Sequence, residues 1–198
     1  MGHDVGILAD NLVEDQLTAS LFESVRSLMR LGITRTPMGR LPGIGDLAAA
    51  TAVFKCARQL GLDVLHGHGA KGGLYARLAA RALRSAGRPV RAFYTPHGGS
   101  LHFDPQSLDG KLYLTVERQL ERFTAGLIFE SAFASNAYKA RVGIPTTAHR
   151  VIHNGLGPED FKTATPRSNA TDLLFVGMLR DLKGVDVLLD AVAELRRE

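Results

Sequence analysis

Apolar and polar positions alternate along the chain in a pattern that predicts β-strands and α-helices in regular succession. Short apolar runs that stop at polar or glycine residues predict buried strands at 5–9, 33–38, 63–66, 89–95, 127–129, 150–152 and 173–176. Apolar residues spaced three or four positions apart predict amphipathic helices at 17–31, 47–60, 72–83, 108–123, 132–141 and 185–197. Strands that alternate with helices of this length form a parallel sheet with helices on both faces, so the fold class is α/β and Rossmann-like.

Side chains at the helix ends and on the helix faces refine this prediction. Asp46 and Ser131 are suited to cap helix N-termini, and Gly61 is typical of a helix C-terminus. The helix at 108–123 is expected to bury its apolar stripe, which consists of Leu112, Val116, Leu120 and Phe123. The helix at 72–83 is expected to turn its arginines toward solvent, and these are Arg77, Arg81 and Arg84.

A change of composition near residue 160 indicates a domain boundary. Residues 154–172 are rich in glycine, proline, serine and threonine, as linkers are. We therefore predict a first domain at 1–160. The linker and a single strand–helix unit of a second domain follow at 161–198.

The overall composition excludes several classes of protein. With 45% hydrophobic residues the chain is too apolar to be disordered, and its one cysteine, Cys56, rules out a disulfide framework within the chain. A net charge of +4 does not mark a nucleic-acid partner; it suits an anionic small molecule or a weak peripheral contact with an anionic membrane. A basic leader segment and a membrane-spanning apolar run are both absent from the sequence, so we expect a cytoplasmic protein.

Polar and glycine residues collect where the predicted strands end. The first group, after the strand at 63–66, consists of His66, His68, Lys71 and Gly72. The groups after the following strands comprise His97 with Gly98, then Glu130, then Gly177, Arg180 and Lys183. Ligands of parallel sheets bind at the carboxyl ends of the strands, so these residues are expected to line one cleft.

Four segments in this order resemble those of glycosyltransferase family 4, the retaining enzymes of the GT-B fold. They begin with the His-Gly-His-Gly run at 66–69 and the Thr-Pro-His-Gly run at 95–98. They continue with the His-Asn-Gly run at 153–155, and with Phe-Val-Gly at 175–177 followed by Lys-Gly at 183–184. The resemblance implies two Rossmann-like domains, of which residues 1–160 are the N-terminal, acceptor-side domain. It also implies sugar transfer from a nucleotide-sugar donor to a saccharide or lipid-linked acceptor, with neither a metal nor a cofactor required.

The resemblance also implies roles for the residues at the strand ends. His97 is the catalytic candidate, beside the donor sugar, where an imidazole can hydrogen-bond hydroxyl groups. The expected donor-binding residues are Gly98, Gly177, Arg180 and Lys183, of which the two cations would stabilise the departing diphosphate. The expected acceptor-side or cleft-lining residues are His66, His68, Lys71, Gly72 and Glu130. The family implies polysaccharide or cell-envelope glycan synthesis, at the inner face of the membrane.

From the residue types alone, simpler interpretations stay open. His97 could equally be a histidine satisfied within a turn, and Lys71 with Gly72 could reflect tight packing between strand and helix. Arg180 and Lys183 could form a solvated basic turn. The pair of His66 and His68 has no carboxylate or cysteine at ligand spacing, so we do not expect a metal site.

Two alternative functions stay open, the first of them because of departures from the family pattern. Residues 2–9 resemble the second strand of the family, so its first, central strand is predicted to be missing. The paired glutamates that contact the donor in the family would lie beyond residue 198. The first alternative is therefore a non-catalytic fragment or acceptor-binding module, completed by another polypeptide. The second is a nucleotide-sugar epimerase, which shares the two-domain architecture.

Overall fold

Strands and helices alternate along the chain, as the sequence predicts. The computed structural model describes residues 2–12, 15–39, 42–177, 179 and 183–197. The strands are β1 (Ile7–Asp10), β2 (Ile33–Thr36), β3 (Val64–His68), β4 (Arg91–Thr95), β5 (Gly126–Phe129) and β6 (His149–Val151). The helices are α1 (Gln16–Val25), α2 (Gly45–Leu60), α3 (Gly69–Ser85), α4 (Leu108–Glu121), α5 (Ala132–Arg141) and α6 (Val185–Leu195). Three short 3-10 turns lie at Arg26–Leu28, Gly99–His102 and Pro158–Phe161.

The described strands form two parallel sheets. One has the order β1-β2 and the other the order β3-β4-β5-β6. Among the described residues, no strand pairs with both sheets. The α/β fold class with a helix-covered parallel sheet is confirmed.

Two apolar clusters hold the first compact unit, Met1–Gly155, together. Helix α3 packs on α2 and on strands β3 and β4, around alanines and leucines such as Ala57, Ala80 and Leu83. A second cluster joins β4 and β5 to α4 and α5 through Tyr94, Phe129 and Tyr138. Because both clusters lie against the strands of the larger sheet, they fix the strand ends that carry the candidate site.

The second compact unit, Leu156–Glu198, contains α6 and the 3-10 turn at Pro158–Phe161. The strand predicted at 173–176 is not formed, so that prediction is wrong. Leu174 and Val176 are more than four-fifths exposed, and a strand forms only where a neighbouring strand accepts its backbone hydrogen bonds. None of the residues in α6 is buried, although the helix is amphipathic.

Three predictions about helix ends and faces are corrected. Arg77 is not on the solvent side of α3, because its side chain is fully buried. Helix α4 exposes Leu112 and Val116. Its buried face includes Leu114, Glu117, Leu120 and Glu121. Helix α2 begins one residue before Asp46, whose carboxylate instead accepts a hydrogen bond from the Gly43 amide at 2.8 Å. Polar partners on other elements decide all three outcomes, since each carboxylate binds donors that periodicity does not reveal.

Candidate functional site

The carboxyl end of β3 places two histidine rings side by side. His66 and His68 are two residues apart on one strand, so their side chains lie on the same face, which is its exposed one. Their ring centroids are 4.1 Å apart. The His66 Nε2 atom lies 2.9 Å from the Thr95 hydroxyl oxygen on the neighbouring strand β4. The strand continues two residues further than predicted and passes directly into α3 at Gly69.

Glycines allow this abrupt passage from β3 to α3. A Cβ atom on Gly67 would lie 2.4 Å from the Gly72 carbonyl oxygen and 2.6 Å from the Gly73 Cα atom. A Cβ atom on Gly73 would lie 2.2 Å from the ring of Tyr94 in β4. The glycines therefore let the first turns of α3 rest directly against the strands, and the helix N-terminus points to the site. The tight packing between strand and helix therefore involves Gly67 and Gly73.

The turn after β4 carries His97 to the same place. Among the described residues, His97 is the one non-glycine residue with a positive φ, which is 50°. Its Nε2 atom shares a 2.9 Å hydrogen bond with Nδ1 of His68, and the two rings stack with centroids 5.2 Å apart. Gly98 follows with a φ of 79°, and a Cβ atom on Gly99 would lie 3.2 Å from the Ala70 amide nitrogen of α3. The turn therefore lies against the N-terminus of α3.

Partial loss of hydration and mutual repulsion lower the pKa of two of the three imidazoles. Loss of hydration lowers the pKa of His66 to about 4, and the nearby rings of His68 and His97 contribute less to this shift. Loss of hydration, followed by His97, also lowers the pKa of His68. In the hydrogen bond between His68 and His97 one nitrogen donates and the other accepts, which couples the tautomers of the two rings. A neutral, oriented imidazole at a helix N-terminus can hydrogen-bond a ligand hydroxyl beside an anionic group.

Three further predicted residues of this unit lie near strand and helix ends. Lys71, in the first turn of α3, forms a 2.5 Å ion pair with Asp46 of α2, so its charge is already matched by a carboxylate. Glu130 directly follows β5, and its Oε2 atom is buried without a hydrogen-bond partner among the described residues. Its backbone carbonyl oxygen lies 3.2 Å from the His153 Nδ1 atom. Gly72 is open: a Cβ atom there would approach nothing closer than 3.9 Å.

The remaining predicted residues belong to the second unit. A Cβ atom on Gly177 would lie 3.1 Å from the ring of Phe175. Lys183 is exposed, and the αL residue Gly184 that follows it is the N-cap of α6. Arg180 lies outside the described residues. The placement of His97 opposite these cations stays a prediction.

The structure adds residues that sequence reasoning missed. Thr95 binds His66, and Glu117 accepts hydrogen bonds from Tyr94 and Ser100 on the two sides of His97. Glu117 lies three residues from Leu114 and three from Leu120, so its carboxylate is on the buried side of α4. This spacing is the signal that could have identified it. Charged residues are rarely buried unless they are paired, so such a position implies a partner.

Among the described residues, no group of three His, Cys, Asp or Glu side chains has the geometry to hold a metal ion. None of the described helices combines the length and apolar character needed to cross a bilayer.

Comparison with known proteins adds a family, a relative and a solved structure. The family model described as "Glycosyl transferase 4-like domain" matches residues 1–155. An uncharacterized 41.2 kDa protein in the cps region of Klebsiella pneumoniae is 26% identical over 151 residues, which are 71% of this chain and 41% of that protein. The crystal structure of Anabaena Alr3699/HepE in complex with UDP and glucose matches 81% of this chain and 47% of its own, at 17% identity and a TM-score of 0.55. The chain thus spans less than half the length of either protein.

Proposed function

Because the chain belongs to the glycosyltransferase 4-like family, we propose that it is part of an enzyme that transfers a sugar from a nucleotide donor to an acceptor. The transfer proceeds with retention at the anomeric carbon, and the acceptor is a saccharide or a lipid-linked molecule. The setting is polysaccharide or cell-envelope glycan synthesis at the inner face of the membrane. Since HepE binds UDP and glucose, a nucleotide sugar is the donor class to test first.

One observation carries this proposal: the imidazole of His97 is oriented at the N-terminus of α3 by its hydrogen bond to His68. In the proposed reaction His97 binds a hydroxyl group of the donor sugar and orients its anomeric carbon. The acceptor hydroxyl attacks the anomeric carbon from the face that the diphosphate leaves, through an oxocarbenium-like centre. The new C–O bond replaces the bond to the diphosphate, and the hydroxyl proton passes to a diphosphate oxygen. Lys183 and Arg180 stabilise the negative charge of the departing nucleoside diphosphate.

The residues around His97 take supporting roles in this proposal. His66 and His68 line the acceptor side of the cleft, together with Glu130 and Gly72. Gly98 and Gly177 let the backbone approach the donor closely. Lys71 is assigned to α2–α3 packing rather than to the acceptor, because Asp46 already pairs with its ammonium group at 2.5 Å.

The test is sugar transfer by the polypeptide as its gene encodes it, with any sequence that adjoins residues 1–198. Labelled UDP-, GDP- and ADP-hexoses are offered with an undecaprenyl-phosphate-linked saccharide and with free saccharides. We expect turnover of at least one donor and a loss of 100-fold or more in His97→Ala. His3→Ala, which removes an exposed histidine near the N-terminus, should leave turnover unchanged. Equal rates in wild type and His97→Ala would remove His97 from the site.

A non-catalytic acceptor-binding module is the second candidate, and the placement of His66, His68 and Glu130 at strand ends of the first compact unit favours it. Calorimetry of the 198-residue chain with UDP and GDP separates the two functions. Micromolar binding, reduced by Lys183→Ala, would support the enzyme and exclude the module. Binding of a saccharide acceptor without any binding of either diphosphate would support the module instead.

A further inference from the structure

A buried carboxylate on α4 connects the two sides of the turn that carries His97. The Glu117 side chain is 5% exposed, and its Oε1 atom accepts hydrogen bonds from the Tyr94 hydroxyl at 2.9 Å and from the Ser100 hydroxyl at 2.8 Å. Tyr94 stands three residues before His97, and Ser100 stands three residues after it. A single oxygen atom therefore holds both ends of the segment 94–100.

A second set of contacts fixes this carboxylate in turn. The buried Arg77 guanidinium donates to the Glu117 Oε2 atom at 2.9 Å and to the Gly73 carbonyl oxygen at 2.9 Å. Its central carbon lies 3.9 Å from the centroid of the Tyr94 ring. The network thus joins α3, α4, β4 and the 3-10 turn at Gly99–His102.

Stability alone does not explain a charged network at this place. The removal of two ions from water offsets most of their mutual attraction, and apolar residues of similar volume would often stabilise such a site as well. The Arg77 Nη1 atom, moreover, has no hydrogen-bond partner within the described residues. The network requires a reason other than the free energy of unfolding.

The backbone of His97 supplies that reason. A φ of 50° is disfavoured for any residue with a Cβ atom, and such conformations persist where the surrounding structure imposes them. In this conformation of the turn the His97 ring meets His68. Tyr94 and Ser100 flank the turn, and Glu117 binds both of them.

We propose that Glu117 is a positioning residue, which clamps Tyr94 and Ser100 so that the turn between them presents the His97 ring to His68 and to the substrate. Its effect on catalysis rests on the proposed function of His97. Its effect on the ring itself does not, because the hydrogen bond between His68 and His97 exists without a substrate.

The first arm of the test measures the rings of the 198-residue chain without substrate. Imidazole ¹⁵N spectra report the tautomer of each histidine in Ser100→Ala, Glu117→Gln and the control Thr124→Val. The control removes another buried hydroxyl, which donates to the Leu120 carbonyl oxygen at 3.0 Å within α4. We expect the signals of His68 and His97 to move toward those of a free tautomer mixture in both test variants and to stay in place in Thr124→Val.

Ser100→Ala keeps the test valid if Glu117→Gln does not fold, since it leaves the ion pair and the Tyr94 bond intact. Its urea midpoint should match that of Thr124→Val, so a change of the ring signals there cannot come from general loss of stability. Unchanged His68 and His97 signals in a folded Ser100→Ala protein would overturn the proposal.

The second arm measures transfer kinetics with the donor that the wild-type protein turns over. We expect Ser100→Ala to lower kcat at least tenfold with KM for the donor changed less than threefold, because a misplaced group lowers the rate more than it weakens binding. An unchanged kcat would refute the clamp. If no donor is turned over, the proposed function fails, and the ring spectra alone still decide the role of Glu117.

Discussion

Two adjacent glycines of α3 should respond to the same substitution with opposite signs. Gly72 and Gly73 both lie in the first turns of the helix. A Cβ atom on Gly73 would lie 2.2 and 2.4 Å from two ring carbons of Tyr94, whereas one on Gly72 would meet its nearest neighbour at 3.9 Å. The Tyr94 ring is fully buried, and its hydroxyl group is bound to Glu117, so the ring has little room to move away.

The magnitudes follow from helix propensity and from overpacking. Replacement of glycine by alanine in a helix is favourable by about 0.5–1 kcal/mol, and this is the full effect expected for Gly72→Ala. Forcing an extra methyl group into a packed core is unfavourable by about 1–3 kcal/mol, and contacts near 2.2 Å place Gly73→Ala at the upper end. The net expectation for Gly73→Ala is a loss of about 2 kcal/mol.

Urea unfolding measures both effects on one scale. With a slope of about 2 kcal/mol per molar urea, Gly73→Ala should lower the unfolding midpoint by about 1 M, while Gly72→Ala raises it by a few tenths. The slope itself should be unchanged if both variants unfold in two states. A midpoint for Gly73→Ala equal to or above that of Gly72→Ala would refute the close packing of α3 against β4.

Three further outcomes test other parts of the structure. The pKa of His66 is about 4 in the folded protein and about 6.5 in the unfolded chain, so the unfolded chain binds more protons between these values. The free energy of unfolding should therefore be constant above pH 6.5 and fall by only about 1 kcal/mol as the pH drops toward 4, because the partial exposure of the ring reduces the effect. A urea midpoint that does not change over this range would contradict the desolvated ring. Ser131→Ala removes the side-chain oxygen that accepts a hydrogen bond from the Ala134 amide at 3.0 Å, and it should lower the free energy of unfolding by about 1 kcal/mol in the same urea assay. An unchanged midpoint would show that this cap does not stabilise α5. Gly98 has a φ of 79°, and Gly98→Ala would place a methyl group 2.2 Å from the His102 ring, so this variant should lose sugar transfer. Wild-type turnover in Gly98→Ala would show that the turn has another conformation.

The sequence was sufficient for features that depend on local residues. Gly61 ends α2 in the left-handed conformation, and Ser131 caps α5, because both effects involve neighbours within four positions. The strand ends that hold His66 and His97 were likewise predictable, since parallel strands bring their carboxyl ends to one edge.

Features that depend on distant partners could not be predicted. Arg77 has the spacing of a solvent-facing residue, yet it is buried because Glu117, forty positions later, supplies a carboxylate. The unformed strand at 173–176 has the opposite cause, since its apolar run is typical of a strand but no strand pairs with it among the described residues. The left-handed turn at His97 depends on contacts from α3 and α4. The residues next to His97 in the sequence do not reveal these contacts.

The most direct measurement of the central claim is the imidazole ¹⁵N spectrum of the protein with the nucleotide sugar that it turns over, compared with the matching nucleoside diphosphate alone. If His97 binds the donor sugar, its ring signals should shift with the nucleotide sugar and stay in place with the diphosphate, while those of His3 stay in place with both. Saturating nucleotide sugar that leaves the His97 signals unmoved would contradict the account.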